Sequence, residues 1–280
     1  TRRLRDLVRQ ESERIISEKP LGDKECGSTG SHSALDDETF EKIKALRREL
    51  HKIPELSGQE RRTMEVLKTF IREHTSLSVT DRGGWFYALH QENGAEETVV
   101  FCADMDAIKG AGNIPYHGCG HDGHSAILAG LCLLTEGRVF QKNLCFLFQP
   151  AEETGEGGNP CSRLLEELGA DRVYGYHNLP GYPLGTAVMR RETISCDTVN
   201  TPEITDMSRM LFEQEGIPCL EAAAPFRWSE DFGRYLKKCQ GMYFGIGAGE
   251  DCPDLHTPEY EFPDEVIRNA VRCLYLLAEI

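Results

Sequence analysis

Two stretches of this chain are short and almost wholly apolar: Val99-Val-Phe-Cys102 and Leu144-Cys-Phe-Leu-Phe148. A strand with one wet face alternates polar and apolar residues. Runs with no polar face instead suit strands covered on both sides by helices. The pattern repeats along the chain. It predicts strands at 85–89, 98–102, 144–148, 172–176, 187–190 and 242–246, and helices at 122–136, 161–168, 202–215, 230–238 and 263–278. Alternation of this kind predicts an α/β fold, a doubly wound and mainly parallel sheet. Upstream, Leu4, Leu7, Val8 and Ile15 fall at helical spacing, so an amphipathic helix is expected over 2–18, followed by a flexible linker over 22–34. Asp36 is placed to cap a helix running to about His51. Ser57-Gly-Gln-Glu60 has the S-x-x-E capping-box pattern and predicts a second helix to about residue 73. The expected division is 1–35 as helix and linker, 36–196 as the first part of a catalytic domain, and 197–280 as its second part.

Composition narrows the function. The 280 residues carry 31 basic and 46 acidic side chains, and 31 − 46 = −15, which argues against nucleic acid or an anionic membrane surface as partner. No apolar run reaches membrane-spanning length, and Thr1-Arg-Arg-Leu-Arg has no apolar segment behind it to make a signal peptide. Eleven cysteines is an odd number, and Cys102, Cys132 and Cys145 sit inside apolar runs. That suits a reducing cytoplasm, with most thiols serving as small core residues.

Residues 117–124 read His-Gly-Cys-Gly-His-Asp-Gly-His. The glycines permit a tight turn that points Cys119 and His121 at one centre. A thiolate and an imidazole two residues apart suit zinc and its neighbours. More candidate ligands follow predicted strands: Asp104 and Asp106 after 98–102, Glu152 and Glu153 after 144–148, His177 after 172–176. Open α/β sheets bind ligands outside the carboxyl ends of their strands, so these groups should converge. Singly, each has a plain alternative: a turn cap, a solvated acidic pair, a core histidine. Together they point to hydrolytic metal chemistry, with one carboxylate of the 152–153 pair on metal and its neighbour free to take a proton from water. Five N, O and S donors exceed one tetrahedral site, which suggests two metals about 3.5–4 Å apart.

Leu46-Arg-Arg-Glu-Leu-His51 with Pro54-Glu55-Leu56, Ala103-Asp-Met-Asp-Ala107, Gly118-Cys-Gly-His-Asp-Gly-His124, and Gln149-Pro-Ala-Glu-Glu153 resemble the metal-dependent amidohydrolases of the M20 peptidase family. The nearest branch holds hippurate hydrolases, N-acyl amino acid deacetylases and indole-acetyl-amino acid hydrolases. Tyr176-His-Asn-Leu-Pro180, Ser229-Glu-Asp-Phe232 and Leu255-His-Thr-Pro258 match its later motifs in order, so the resemblance runs from about Phe40 to the end. It implies two divalent metals (Zn, Mn, Co or Ni) on Cys119, His121, Glu153, His177 and His256, with Glu152 as general base. His256 enters only through this resemblance. Asp104 and Asp106 would orient ligand imidazoles, and Asp106 is placed with Glu152 in the catalytic set. Asp122 and His124 are assigned to support through helix capping and packing, His117 to the surface, and Ser229 to a helix cap.

The chain departs from that family in one large respect. Full-length relatives insert a lid domain that mediates dimerisation. Here segment 191–196 runs at once into 197–202, which resembles sequence from beyond the lid. The lid is therefore expected to be absent at about 191–197, and the chain to be a monomer. The loop from Asp106 to Cys119, which shapes the family's substrate pocket, is also short. The expected function is release of a carboxylic acid from a small N-acyl amino acid. The alternatives are a catalytically impaired metal-binding scaffold and a zinc aminopeptidase, the latter disfavoured by Cys119 as a ligand.

Overall fold

The computed structural model describes residues 35–195, 197–226 and 230–280. The helix expected over 2–18, the linker over 22–34 and the Ser229 cap lie outside them. Among the described residues the strands are β1 (Ser78–Asp81), β2 (Phe86–His90), β3 (Thr98–Asp104), β4 (Ile108–Lys109), β5 (Pro115–Tyr116), β6 (Asn143–Gln149), β7 (Arg172–Pro180), β8 (Ala187–Met189), β9 (Thr193–Ser195), β10 (Thr198–Val199), β11 (Cys219–Glu221) and β12 (Gln240–Gly249). Eight of them form one sheet in the order β1-β2-β6-β3-β7-β12-β8-β11. Its centre, β6-β3-β7-β12, is parallel, while β1, β2 and β8 each run against a neighbour.

Every residue of β3 is buried, as its unbroken apolar run requires. Val99, Phe101 and Ala103 face one apolar core, and Val100 and Cys102 face the other. The first core is closed by helices α1 (Asp37–His51), α2 (Arg61–His74), α3 (His121–Thr135), α6 (Pro202–Gln214) and α8 (Val266–Glu279). The second lies under the short helices α4 (Gly158–Cys161), α5 (Arg163–Leu168) and α7 (Gly233–Leu236). The sheet is doubly wound, and the carboxyl ends of its central parallel strands share one edge. Register keeps those ends level, with Asp104 opposite Gln149 and His177 opposite Gly245. No described helix is long and apolar enough to cross a membrane.

Asp36 does cap α1, its carboxylate accepting the Thr39 amide at 2.7 Å. Asp36→Ala should cost about 1 kcal/mol, read as a fall in Tm of about 2–4 °C. An unchanged Tm would mean that α1 is held by its packing alone. The capping box at Ser57 does not form. Helix α2 starts at Arg61 with no side-chain cap, and Ser57 Oγ instead donates to Asp106 Oδ2 at 2.7 Å. Other boundaries also moved. The helix expected over 161–168 is two short ones, that over 230–238 shrinks to Gly233–Leu236, and β7 runs on to Pro180, so His177 lies within the strand and not after it. At the expected lid position, β9 and β10 pair as an antiparallel hairpin joined by two residues.

Candidate metal centre

The turn between Cys119 and His121 depends on Gly120, whose φ of +90° lies where L side chains are strained. A Cβ there would also come within 2.6 Å of Asn178 Oδ1 and of the Tyr260 hydroxyl. Helix α3 begins directly after this turn, so His121 is fixed in its first turn. The Nδ1 of His121 lies 3.0 Å from the Asp106 carbonyl and 3.2 Å from Asp106 Oδ1. That turns Nε2 toward the end of β6, 3.9 Å from both Glu152 Oε2 and Glu153 Oε1.

The acidic pair is presented by a strained turn after β6. Ala151 has φ +54°, and the buried Glu60 carboxylate accepts its amide at 2.8 Å and that of Gly58 at 2.9 Å. Asp106 ties the pieces together. One of its oxygens accepts both Ser57 Oγ and the Glu153 amide, the latter at 3.0 Å, while the other faces His121.

Two histidines complete the cluster. His177 Nδ1 sits 2.8 Å from the Asn178 carbonyl, and its Nε2 is 3.4 Å from Cys119 Sγ. His256 lies in a polar loop at φ +64°, its amide donating to the Gly118 carbonyl at 2.8 Å, and its Nε2 is 3.5 Å from Glu153 Oε1. A non-glycine residue held in the left-handed region stores backbone strain of the kind that collects at functional sites. Donor atoms of Cys119, His121 and His177 lie within 4.8 Å of one another, as do those of Cys119, Glu153 and His256, and those of His121, Glu152 and Glu153. Cys119 belongs to two of the triads.

The donor set suits divalent cations. His121 Nε2 and Glu153 Oε1 are buried and complete no hydrogen bond among the described residues. Orphaned buried polar atoms are costly, and a cation between them would satisfy both. Burial lowers His177 to about 4, so its imidazole is neutral and can donate a lone pair. The two glutamates are driven apart. Burial, and then the charges of Glu230 and Asp104, push Glu152 up to about 11. Burial would also raise Glu153, but the His256 and His121 imidazoles outweigh it and bring Glu153 down to about 2. Neighbouring carboxyls with opposed environments are the usual sign of divided labour.

The structure relocates several residues around the cluster. His117, expected at the surface, is buried, with Nε2 3.2 Å from the Leu50 carbonyl. Asp122 caps nothing; its Oδ2 is 2.7 Å from His51 Nδ1, and the buried Arg47 stands 3.6 Å away. His124 is fully buried, 2.6 Å from Asn178 Oδ1. Asp104 has donor atoms near His121 and His124, but it is Asp106 that contacts the His121 ring. Residue-by-residue reading missed Ser57, Glu60 and Glu230. Glu230 is buried beside Glu152 and Asp231, accepting the Phe232 amide at 3.1 Å and the Tyr243 hydroxyl. Ser57 and Glu60 carried a capping-box signal instead, and Glu230 lay in a motif read for a helix cap; the contacts that bring them to the site, with Asp106, Ala151 and Glu152, are far away in sequence.

A model of the peptidase family M20/M25/M40 matches residues 100–280. An N-acetyldiaminopimelate deacetylase of Geobacillus thermodenitrificans is 31% identical over 175 residues, 58% of this chain and 46% of that relative. One from Priestia megaterium is 33% identical over 168 residues, 55% of this chain and 44% of its own length. The chain thus spans a little under half the length of these relatives. Among solved structures, the Bacillus subtilis YXEP protein, described as a dinuclear metal binding peptidase from the M20 family, superposes with a TM-score of 0.78 at 18% identity, covering 87% of this chain and 98% of that one. The Legionella pneumophila LapA aminopeptidase gives 0.67 at 13% identity, covering 97% of this chain and 82% of that one. The fold of those structures is shared here, and the match across residues 100–280 places the chain in peptidase family M20/M25/M40.

Proposed function

We propose that this chain is a metal-dependent amidohydrolase that splits the amide bond of small N-acyl amino acids. The observation that carries this reading is the pair of orphaned donors, His121 Nε2 and Glu153 Oε1, inside a cluster that also holds Cys119, His177 and His256. These five residues would hold two divalent cations, and Cys119 has donors of two triads within reach. Bound there, the cations would polarise the amide carbonyl and make water a better nucleophile.

The remaining work falls to the chain's own side chains. Glu152, which is not assigned as a ligand, takes the proton of the attacking water on its carboxylate and passes it to the leaving amine nitrogen. Positive charge in the site lowers its proton affinity and leaves it ionised for that task. Asp106 fixes the His121 ring through Nδ1, as a partner behind a ligand imidazole should. The deacetylases matched above act, by name, on N-acetyldiaminopimelate, which supports an acyl amino acid as substrate class. The β9–β10 hairpin supports a chain without a lid at that point, and therefore a monomer.

The reading is tested by loading the chain separately with Zn, Mn, Co and Ni, measuring metal by elemental analysis, and assaying acid release from N-acetyl amino acids, N-acetyldiaminopimelate included. Two metals per chain with multiple turnovers are expected. Two metals with no turnover on any substrate would favour the binding-scaffold reading and end this one.

A further inference from the structure

The β4–β5 hairpin joins Asp106 to the Cys119 turn, and both its legs are anchored in the metal cluster. The first leg starts beside Asp106, where the Ala107 amide donates to the Glu55 carbonyl at 2.8 Å. The second ends at Gly118, whose carbonyl accepts the His256 amide. Ile108 stands opposite Tyr116 across the hairpin, so both side chains leave it on the same face. That face lies against glycine. A Cβ on Gly118 would come within 2.5 Å of Tyr116 Cε2 and Cζ and 2.7 Å of Ile108 Cδ1, and one on Gly110 within 2.8 Å of Tyr116 Cδ1. Two missing side chains therefore leave the slot that the Tyr116 ring fills.

The slot also sets where the hydroxyl goes. The ring edge carrying Cζ rests on Gly118, the residue immediately before Cys119 and bonded to His256, so the phenol sits at the end of the hairpin that leads into the metal cluster. Burial raises the pKa of this phenol, and the nearby Cys119, Glu153 and Glu259 raise it further. The hydroxyl therefore keeps its proton at neutral pH with acidic groups around it. No hydrogen bond holds it among the described residues, and the ring is only half-buried. The side chains around the cluster are rich in acceptors: Glu152, Glu153, Asp104, Asp106 and Glu230. The Tyr116 O–H is a donor that meets no acceptor among the described residues.

We propose that the Tyr116 hydroxyl donates a hydrogen bond to the acyl carbonyl oxygen of the bound substrate. This rests on the amidohydrolase reading and adds to it a residue that touches the reacting group. As the carbonyl carbon becomes tetrahedral, charge builds on that oxygen. A donor already fixed by the glycine slot then strengthens its bond without reorganising. The rigid ring, clamped on Gly110 and Gly118, is what makes the donor preorganised.

Tyr116→Phe is the test, since Phe keeps the ring and its packing and removes only the donor. With metal content equal to that of the parent, kcat should fall by about 10²–10³-fold, and KM should change by less than about twofold, as expected when a transition-state interaction is lost. A phosphinate analogue of the N-acyl amino acid, which mimics the tetrahedral oxyanion, should bind roughly 10–100-fold more weakly by calorimetry. Binding of the product amino acid should not change. A Tyr116→Phe enzyme with parental kcat and phosphinate affinity, while Glu152→Gln is inactive, would overturn the Tyr116 role and leave the amidohydrolase reading standing. A fully metal-loaded parent that neither turns over nor binds phosphinate would overturn both.

Discussion

Glu152→Gln should abolish hydrolysis of N-acyl amino acids and leave the chain's metal content nearly unchanged, while Glu153→Gln should lose metal first and activity as a consequence. The two carboxylates reach His121 Nε2 at the same 3.9 Å, so distance from that ring does not separate them. Their other neighbours do. Glu153 faces His256 and Cys119, donors that can share a cation with it, whereas Glu152 faces Glu230 and Asp231. A carboxyl among carboxyls is poised to carry a proton, and a carboxylate among imidazoles and a thiol is poised to carry a metal. Loss of a general base typically costs about 10²–10⁴ in rate. Elemental analysis beside single-substrate kinetics reads both halves of the contrast. The neutral amide introduced by Glu152→Gln should also be well tolerated without metal, because burial and like charge already keep Glu152 protonated there. Equal metal loss in the two variants would mean that the roles of the pair are not divided as proposed.

Cys119→Ala should lower metal stoichiometry and thermal stability together. Cys119 is a member of two donor triads, so its loss weakens both halves of the cluster. Metal that binds only the folded state stabilises it by about 2.7 kcal/mol when free metal is at 100 times Kd. The variant should forfeit much of that increment, while its metal-free form melts close to the metal-free parent. Proton release offers a second readout. Burial pushes the Cys119 thiol well above its ordinary value, so it enters the metal-free site protonated and must give up that proton to bind a cation. Metal titration in weak buffer should therefore release about one proton fewer from the variant than from the parent. Full metal content in Cys119→Ala would remove this residue from the ligand set.

How much of the site could be read from sequence followed from how local each arrangement is. Cys119 and His121 share one turn, and Glu152 and Glu153 are adjacent, so spacing alone paired their chemistry. Asp106 was legible through the rule that ligands gather at strand ends, and His177 was picked by the same rule although its strand runs on to Pro180. His256 was not, because a loop histidine carries no sign of its destination; it came from family resemblance alone. Ser57 misled, because its hydroxyl could close a local capping box or reach Asp106, and only the packed chain brings Asp106 close enough to win. His117 misled for the same reason, since the Leu50 carbonyl that receives it belongs to a helix end some sixty-seven residues earlier.

The sequence by itself determined the α/β class and the long elements. The unbroken apolar runs of β3 and β6 can be stable only between two helical layers, and that requirement is a matter of composition within a few consecutive residues. It also determined that soft and hard metal donors would meet at one end of the sheet. The tertiary structure decided what depends on neighbours distant in sequence. It set β8 antiparallel to β12 and parallel to β11, and it set the pairing of short strands such as β4 and β5, whose stability comes from their partners rather than their own two or three residues. It gave the two adjacent glutamates different neighbours, with Glu230 beside Glu152 and His256 beside Glu153. It also laid Tyr116 over Gly110 and Gly118, where the absence of two side chains becomes a slot only once the hairpin has closed and is anchored at both ends.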